Sequence, residues 1–61
     1  MELNKVVKYA GKKVYIVLKN GFEYTTRLPD VLGIDFDIID KFNKQVSLNC
    51  DIISFIKEVG N

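Results

Sequence analysis

Residues 13–28 read KVYIVLKNGFEYTTRL, and this stretch decides the fold. Its first half, residues 14–19, alternates with a period of two and is rich in β-branched side chains, which predicts a strand. Asn20-Gly21 follows at once and predicts a type I′ hairpin turn, because both residues tolerate the positive φ that this turn requires. Residues 22–28 then form the return strand. The alternation predicts shared faces for Val14, Ile16 and Leu18 on the first strand and for Tyr24, Thr26 and Leu28 on the second.

The residues before the hairpin predict a short helix over 2–10. The spacing of one helical face is shown by Leu3, Val6, Val7 and Ala10. Gly11 follows at a position where helices commonly end.

Three further segments follow Pro29, which cannot donate a hydrogen bond to a central ladder and therefore ends the second strand. The first of them places Ile34, Phe36 and Ile38 on one face, and a polar turn over 40–44 follows it. The second alternates over 45–50, with Val46, Leu48 and Cys50 on one face. Residues 51–59 fit either a helix after an Asp51 N-cap or a strand that is apolar on both faces, and three Ile residues favour the strand.

The sequence thus predicts one short helix and five strands joined by tight connections. Five short strands have to curl or close to bury their inner face, and we expect an all-β, five-stranded SH3-like barrel with a short N-terminal helix. Sixty-one residues allow a single domain, 1–61. A domain of ~60 residues buries only about 60% of its unfolded surface, so self-association is the expected source of further buried area.

Composition argues against an enzyme. The chain has no His and a single Cys, so serine or cysteine catalysis with a histidine base, an internal disulfide and a zinc site within one chain are all excluded. We expect no catalytic residue, no metal and no cofactor. No apolar run approaches the ~18 residues of a membrane span and no signal-peptide pattern opens the chain, so we expect a cytoplasmic protein without membrane contact.

Charge is distributed unevenly along the chain. Residues 1–27 carry six cationic and two anionic side chains, whereas 28–61 carry three cationic and six anionic ones. A cluster of Lys5, Lys8, Lys12 and Lys13 is interleaved with Tyr9 and Tyr15. Cations that contact phosphates beside aromatic rings that stack on bases are typical of nucleic-acid binding. A solvated basic helix face with packed aromatic rings would give the same pattern.

Two stretches resemble the Sm/LSm family, which includes bacterial Hfq. Residues 11–24, GKKVYIVLKNGFEY, are similar to the first half of the Sm1 motif, and residues 46–56, VSLNCDIISFI, are similar to the Sm2 motif. The resemblance implies an SH3/Sm-like barrel that binds RNA as a homo-oligomer. It also implies that neighbouring subunits pair their fourth and fifth strands, which makes Ile52, Ser54 and Ile56 the expected oligomer edge.

The resemblance concerns the scaffold, because the base-binding residues are mostly absent. The family's second-strand glycine falls on Thr26, and its Asp-x-x-x-Asn element has no counterpart in 32–36. The Sm2 Arg-Gly pair falls on Asn49-Cys50, and only Asp51 is kept. The residues expected to contact nucleic acid are Lys8, Tyr9, Lys12, Lys13, Tyr15 and Asn49.

Other chemistry-bearing residues favour simpler interpretations. Asp35 and Asp37 share a strand face and suit a solvated, protected edge better than a metal site. Cys50 has no histidine beside it and is expected to be a small buried residue. Among the phenylalanines, Phe36 and Phe55 are expected in the core, and Phe22 and Phe42 are expected exposed at turns.

The sequence therefore predicts a non-catalytic binding or assembly module. The leading interpretation is an Sm-like protein that binds RNA or another nucleic acid as a homo-oligomer. The alternative is a protein–protein adaptor, or an accessory protein of a phage or mobile element, that acts through a sheet edge.

Overall fold

The computed structural model describes residues 1–60. The helical elements are α1 (Leu3–Val6), a first 3₁₀ helix (Val7–Tyr9) and a second 3₁₀ helix (Cys50–Ile52). The strands are β1 (Lys13–Leu18), β2 (Glu23–Arg27), β3 (Asp35–Ile39), β4 (Gln45–Asn49) and β5 (Ile53–Glu58).

The five strands form two antiparallel sheets. The first sheet has the order β2-β1-β5, and the second consists of β3 and β4. A mostly β fold with five strands and a short N-terminal helix is thereby confirmed. No ladder joins the two sheets within residues 1–60, so the strands make two separate sheets in this part of the chain. No helix within this range is long and apolar enough to cross a lipid bilayer.

The core lies between the two sheets and under the N-terminal helix. Ile16, at the centre of β1, is fully buried, and the alternation predicted for both hairpin strands places the expected side chains inward. The buried apolar side chains are Val6, Val14, Ile16, Leu18, Leu28, Leu32, Phe36, Ile38, Leu48, Cys50 and Ile53.

Thr26 connects the two sheets. It is buried, and its Oγ1 donates a hydrogen bond of 3.0 Å to the carbonyl oxygen of Ile39. A buried hydroxyl without a partner would be costly, so this bond both satisfies the Thr26 hydroxyl and holds the end of β3 beside β2.

The turn between β1 and β2 is not the predicted two-residue type I′ turn. Gly21 has φ +91°, whereas Asn20 does not have the positive φ that type I′ requires. The Gly21 N–H donates to the Leu18 carbonyl at 2.9 Å, and the Leu18 N–H donates to the Phe22 carbonyl at 2.8 Å. This is a three-residue loop that ends in a left-handed residue, the other common hairpin connection.

The turn between β3 and β4 repeats this geometry. The Asn43 N–H donates to the Asp40 carbonyl, and Asn43 has φ +61° at the position equivalent to Gly21. The Asp40 carboxylate accepts from the N–H groups of Phe42 and Lys44, both at 2.9 Å. The predicted polar turn over 40–44 is confirmed.

The N-terminal helix is shorter than the expected 2–10. After Val6 the chain tightens into a 3₁₀ helix, in which residues i and i+3 lie above one another. Val6 and the partly buried Tyr9 therefore share a side, and Val7, expected on the buried face, is exposed. Gly11 has the positive φ expected after a helix end.

Two further expectations require correction. Ile34 was predicted to share the inner face with Phe36, but β3 begins only at Asp35 and Ile34 is exposed on the preceding bend. The last segment is a strand, as favoured, but it begins at Ile53 because residues 50–52 form a 3₁₀ helix. Asn49, not Asp51, is the N-cap residue of that helix.

Replacing Gly21 by Ala should lower the free energy of unfolding by ~1–2 kcal/mol, because the left-handed conformation costs an L residue about that much. Nothing lies within 4 Å of a Cβ at Gly21, so the cost is conformational and not steric. Gly60→Ala is the matched control, since that site has equal space and no positive φ. Urea unfolding of both variants checks the prediction, and equal midpoints would contradict it.

Candidate functional site

The outer face of the three-stranded sheet combines cations and aromatic rings. We call it the platform and define it by Lys13, Tyr15, Arg27, Phe55 and Lys57. These side chains share one face because Lys13 pairs with Arg27 across β1 and β2, and Tyr15 pairs with Lys57 across β1 and β5. The inward residues of the same strands fill the core, so the alternation leaves this face to solvent.

Tyr15 is the centre of the platform. Its ring meets the Phe55 ring edge-on, with the centroids 6.3 Å apart and the planes at 66°. The Lys57 ammonium lies 5.7 Å from the Tyr15 centroid, within the range of a cation–π interaction. Phe55 was expected in the core but is 47% exposed, because a register shift between Val17 and Leu18 changes how β5 aligns with β1.

The charges of the platform are mostly positive. Lys13 and Arg27 lie directly opposite each other and both are exposed. The Arg27 guanidinium donates a 2.7 Å hydrogen bond to the Gly11 carbonyl, which fixes its position at one end of the sheet. The carboxylate nearest to Tyr15 is that of Glu23. The platform thus has three cationic side chains and one anionic neighbour.

Glu23 holds the Tyr15 phenol in its neutral form. The Tyr15 hydroxyl donates a short hydrogen bond to the Glu23 carboxylate. This bond raises the pKa of Tyr15 above its ordinary value of 10.0, and desolvation and the negative charge of Glu23 act in the same direction.

The residues predicted to contact nucleic acid do not form one cluster. Lys13 and Tyr15 lie on the platform. Lys8 and Tyr9 are on the N-terminal helical segment, where the Lys8 ammonium lies 5.4 Å from the Tyr9 centroid. Lys12 forms an exposed ion pair with Glu58 at 3.6 Å.

Asn49 lies on the other sheet and its amide is already engaged. Its Nδ2 donates to Asp35 at 2.7 Å, and its Oδ1 accepts from the Asp51 N–H at 2.8 Å. Asp37 likewise accepts from Gln45 and Ser47, each at 2.7 Å. Polar side chains on the outer face of β3 and β4 are thus engaged in cross-strand hydrogen bonds with one another.

No group of three or more potential metal ligands occurs within residues 1–60. Cys50 is buried, and its thiol points to the Gly33 carbonyl at 3.7 Å. Burial raises the pKa of this thiol above its ordinary value, which disfavours the reactive thiolate.

The residues expected at the oligomer edge have different surroundings. Ile52 is exposed in the second 3₁₀ helix, Ser54 donates to the Val17 carbonyl at 3.1 Å, and Ile56 pairs with Ile16 and packs against the core. β5 is nevertheless the outermost strand of its sheet.

The outer edge of β5 carries backbone groups that no neighbouring strand pairs with in residues 1–60. The Val59 N–H donates to the Lys13 carbonyl, so the odd-numbered residues of β1 bond to β5. Hydrogen bonding alternates along an antiparallel pair, and the peptide groups of Ile56 and Glu58 therefore face away from β1. No other strand lies beside them within residues 1–60.

A second surface feature is a groove between β2 and the turn that joins β3 to β4. We call it the aromatic groove, and its volume is about 480 Å³. Its aromatic walls are four of the seven aromatic side chains of the protein. The groove is lined by residues that include Tyr15, Phe22, Glu23, Tyr24, Asp40 and Phe42.

The exposure predicted for two phenylalanines is confirmed in this groove. Phe22 is 61% and Phe42 is 70% exposed, and each stands beside a hairpin turn. The expectation that Phe36 belongs to the core is confirmed as well.

Sequence reasoning overlooked Arg27, Phe55 and Lys57 as site residues. Period-two alternation does place Phe55 and Lys57 on one face of the last strand. The missing information was the pairing of β5 with β1, which brings residues about forty positions apart onto one surface.

Comparison of the chain with protein-family models, with curated proteins and with solved structures finds no match.

Glu23→Gln should lower the pKa of Tyr15 towards 10.0, because the amide is a weaker hydrogen-bond acceptor than the carboxylate, carries no negative charge and can turn its N–H group to donate to the phenolate. The phenolate titration is followed by NMR of ¹³Cζ-labelled tyrosine. Asp37→Asn removes a carboxylate from the other sheet and serves as the control. A Tyr15 titration that is the same in wild type and Glu23→Gln would contradict this assignment.

Proposed function

We propose that this protein is a non-catalytic module that binds single-stranded nucleic acid on the platform. The observation that carries the proposal is the contact of Tyr15 with both Phe55 and Lys57 on a face that also bears Lys13 and Arg27. Bases stack on exposed aromatic rings, and the surrounding cations attract the phosphates.

A single strand suits this surface better than a duplex. In a duplex the faces of the bases are covered by their neighbours, so the rings of Tyr15 and Phe55 would have nothing to stack on. Unpaired bases offer these faces whatever their sequence. We therefore expect little sequence preference, which agrees with the absence of the base-binding residues of the Sm motifs.

The salt dependence of binding should reflect the number of platform cations that contact phosphates. Three phosphate contacts on a single strand give a slope of roughly −2 in log K against log salt, or roughly twentyfold weaker binding from 50 to 200 mM salt. The measurement is fluorescence anisotropy with a labelled oligonucleotide of about ten nucleotides. A slope near zero, or no binding at low salt, would refute the proposal.

Two variants separate stacking from charge in the same assay. Phe55→Ala should weaken binding at least fivefold, since a stacked base contributes ~1–3 kcal/mol, and it should leave the salt slope unchanged. Lys57→Gln should reduce the slope by roughly 0.7. Lys44→Gln, which removes the same charge from the β3–β4 turn, should change neither quantity.

We further propose that copies of the chain associate through the edge of β5. The outward peptide groups of Ile56 and Glu58 can accept another strand, and an unpaired edge is a template for such pairing. The small core gives a reason for assembly, because a chain of this length buries a limited fraction of its surface alone. Association would also gather several platforms into one binding surface.

Glu58→Pro should abolish this association. Proline removes the outward N–H of Glu58 without removing a hydrogen bond between β1 and β5, so the fold should persist. Glu58→Ala loses the same ion pair with Lys12 but keeps the N–H, and it is the matched control. Sedimentation velocity over a concentration series measures the effect. A monomeric wild type, or equal association of both variants, would show that the edge is not used.

The same edge favours a second candidate function, an adaptor that accepts a strand from a different protein. A chain that stays monomeric and retains no oligonucleotide would support this candidate over the first. We also propose that the two sheets together make a barrel of SH3/Sm-like type, and the hydrogen bond between Thr26 and Ile39, which holds β3 beside β2, supports this arrangement.

A further inference from the structure

The aromatic groove differs from the platform in its charge. Its aromatic walls are accompanied by the carboxylates of Glu23 and Asp40 and by one cation, Lys41. A phosphate placed there would meet two negative charges. Charge complementarity thus favours a cationic occupant and disfavours continuation of a nucleic-acid strand.

Both carboxylates keep an oxygen for a ligand. Glu23 accepts the Tyr15 hydroxyl through Oε1, and Asp40 accepts the N–H groups of Phe42 and Lys44 through Oδ1. Oε2 of Glu23 and Oδ2 of Asp40 receive no hydrogen bond within residues 1–60. The bonds to the first oxygens hold each carboxylate in place, so the second oxygens are available in a fixed direction.

The groove already shows the chemistry that such an occupant would use. The Lys41 ammonium lies 5.3 Å from the centroid of the Phe42 ring, in a cation–π contact. Lys41 is exposed on a long flexible side chain and can move aside. A guanidinium is planar, stacks on aromatic faces and carries five N–H donors in a fixed fork, so arginine can reach two separate carboxylate oxygens while stacked and fits this site better than lysine.

We propose that the aromatic groove binds an arginine side chain presented by an extended segment of a partner protein. The guanidinium stacks on Phe42 or Phe22 and donates to Asp40 and Glu23. Residues beside the arginine cover the remaining aromatic wall, for which a groove of about 480 Å³ has room. This site is separate from the platform except for Tyr15, which belongs to both.

The test is an NMR titration of the ¹⁵N-labelled full chain with an acetylated and amidated pentapeptide, Gly-Leu-Arg-Leu-Gly. We expect shifts at the amides of Phe22, Tyr24 and Phe42. The matched peptide with Gln in place of Arg should bind about two- to fivefold more weakly, which corresponds to an exposed cation–π contact. Equal affinity for the two peptides, or shifts confined to other surfaces, would overturn the proposal.

Variants make the assignment specific. Phe42→Ala and Asp40→Asn should each weaken binding of the Arg peptide; the asparagine oxygen can still accept the turn hydrogen bonds, so the fold is preserved. Val31→Ala, at a site that is 87% exposed and outside the groove, is the control and should bind as wild type does.

Phe55→Ala distinguishes failure of this proposal from failure of nucleic-acid binding. It should retain the Arg peptide while losing affinity for the oligonucleotide. If the oligonucleotide, and not the peptide, shifts the amides of Phe22 and Phe42, then the groove extends the platform and the arginine proposal is wrong.

Discussion

Strand β1 is hydrogen-bonded along both of its edges, and the other elements are arranged around this constraint. Its even-numbered residues bond to β2 and supply the core, with Ile16 fully buried at the centre. Its odd-numbered residues bond to β5 and carry the outward Lys13 and Tyr15. The period of two in one six-residue strand thus separates the interior of the protein from its candidate binding surface.

Two surfaces of opposite character meet at Tyr15. On one side lie Lys57 and the other platform cations, which suit a polyanion. On the other lies the aromatic groove with Glu23 and Asp40, which suits a cation. Tyr15 contacts Lys57 and also donates to Glu23, so one side chain belongs to both surfaces.

Local pattern predicted most of the fold, since each strand is an alternating segment and the exposure of Phe22 and Phe42 follows from adjacent turns. The predictions that were wrong concern features that depend on pairing between strands. Phe55 is exposed because of how β5 aligns with β1, and a periodicity analysis contains no register. The first turn differs because the Leu18–Phe22 pairing lengthens the loop by one residue. The platform combines β1, β2 and β5, so only Lys13 and Tyr15 could be identified beforehand.

The buried thiol of Cys50, between β4 and β5, can report how often the protein opens. Cys50 is 1% exposed and burial raises its pKa, so a maleimide or disulfide reagent reacts poorly with its thiol in the folded state. Labelling becomes feasible when the chain opens locally or globally, and its rate then tracks the population of the opened state. With a single Cys in the chain, that rate can be followed without introducing a foreign probe.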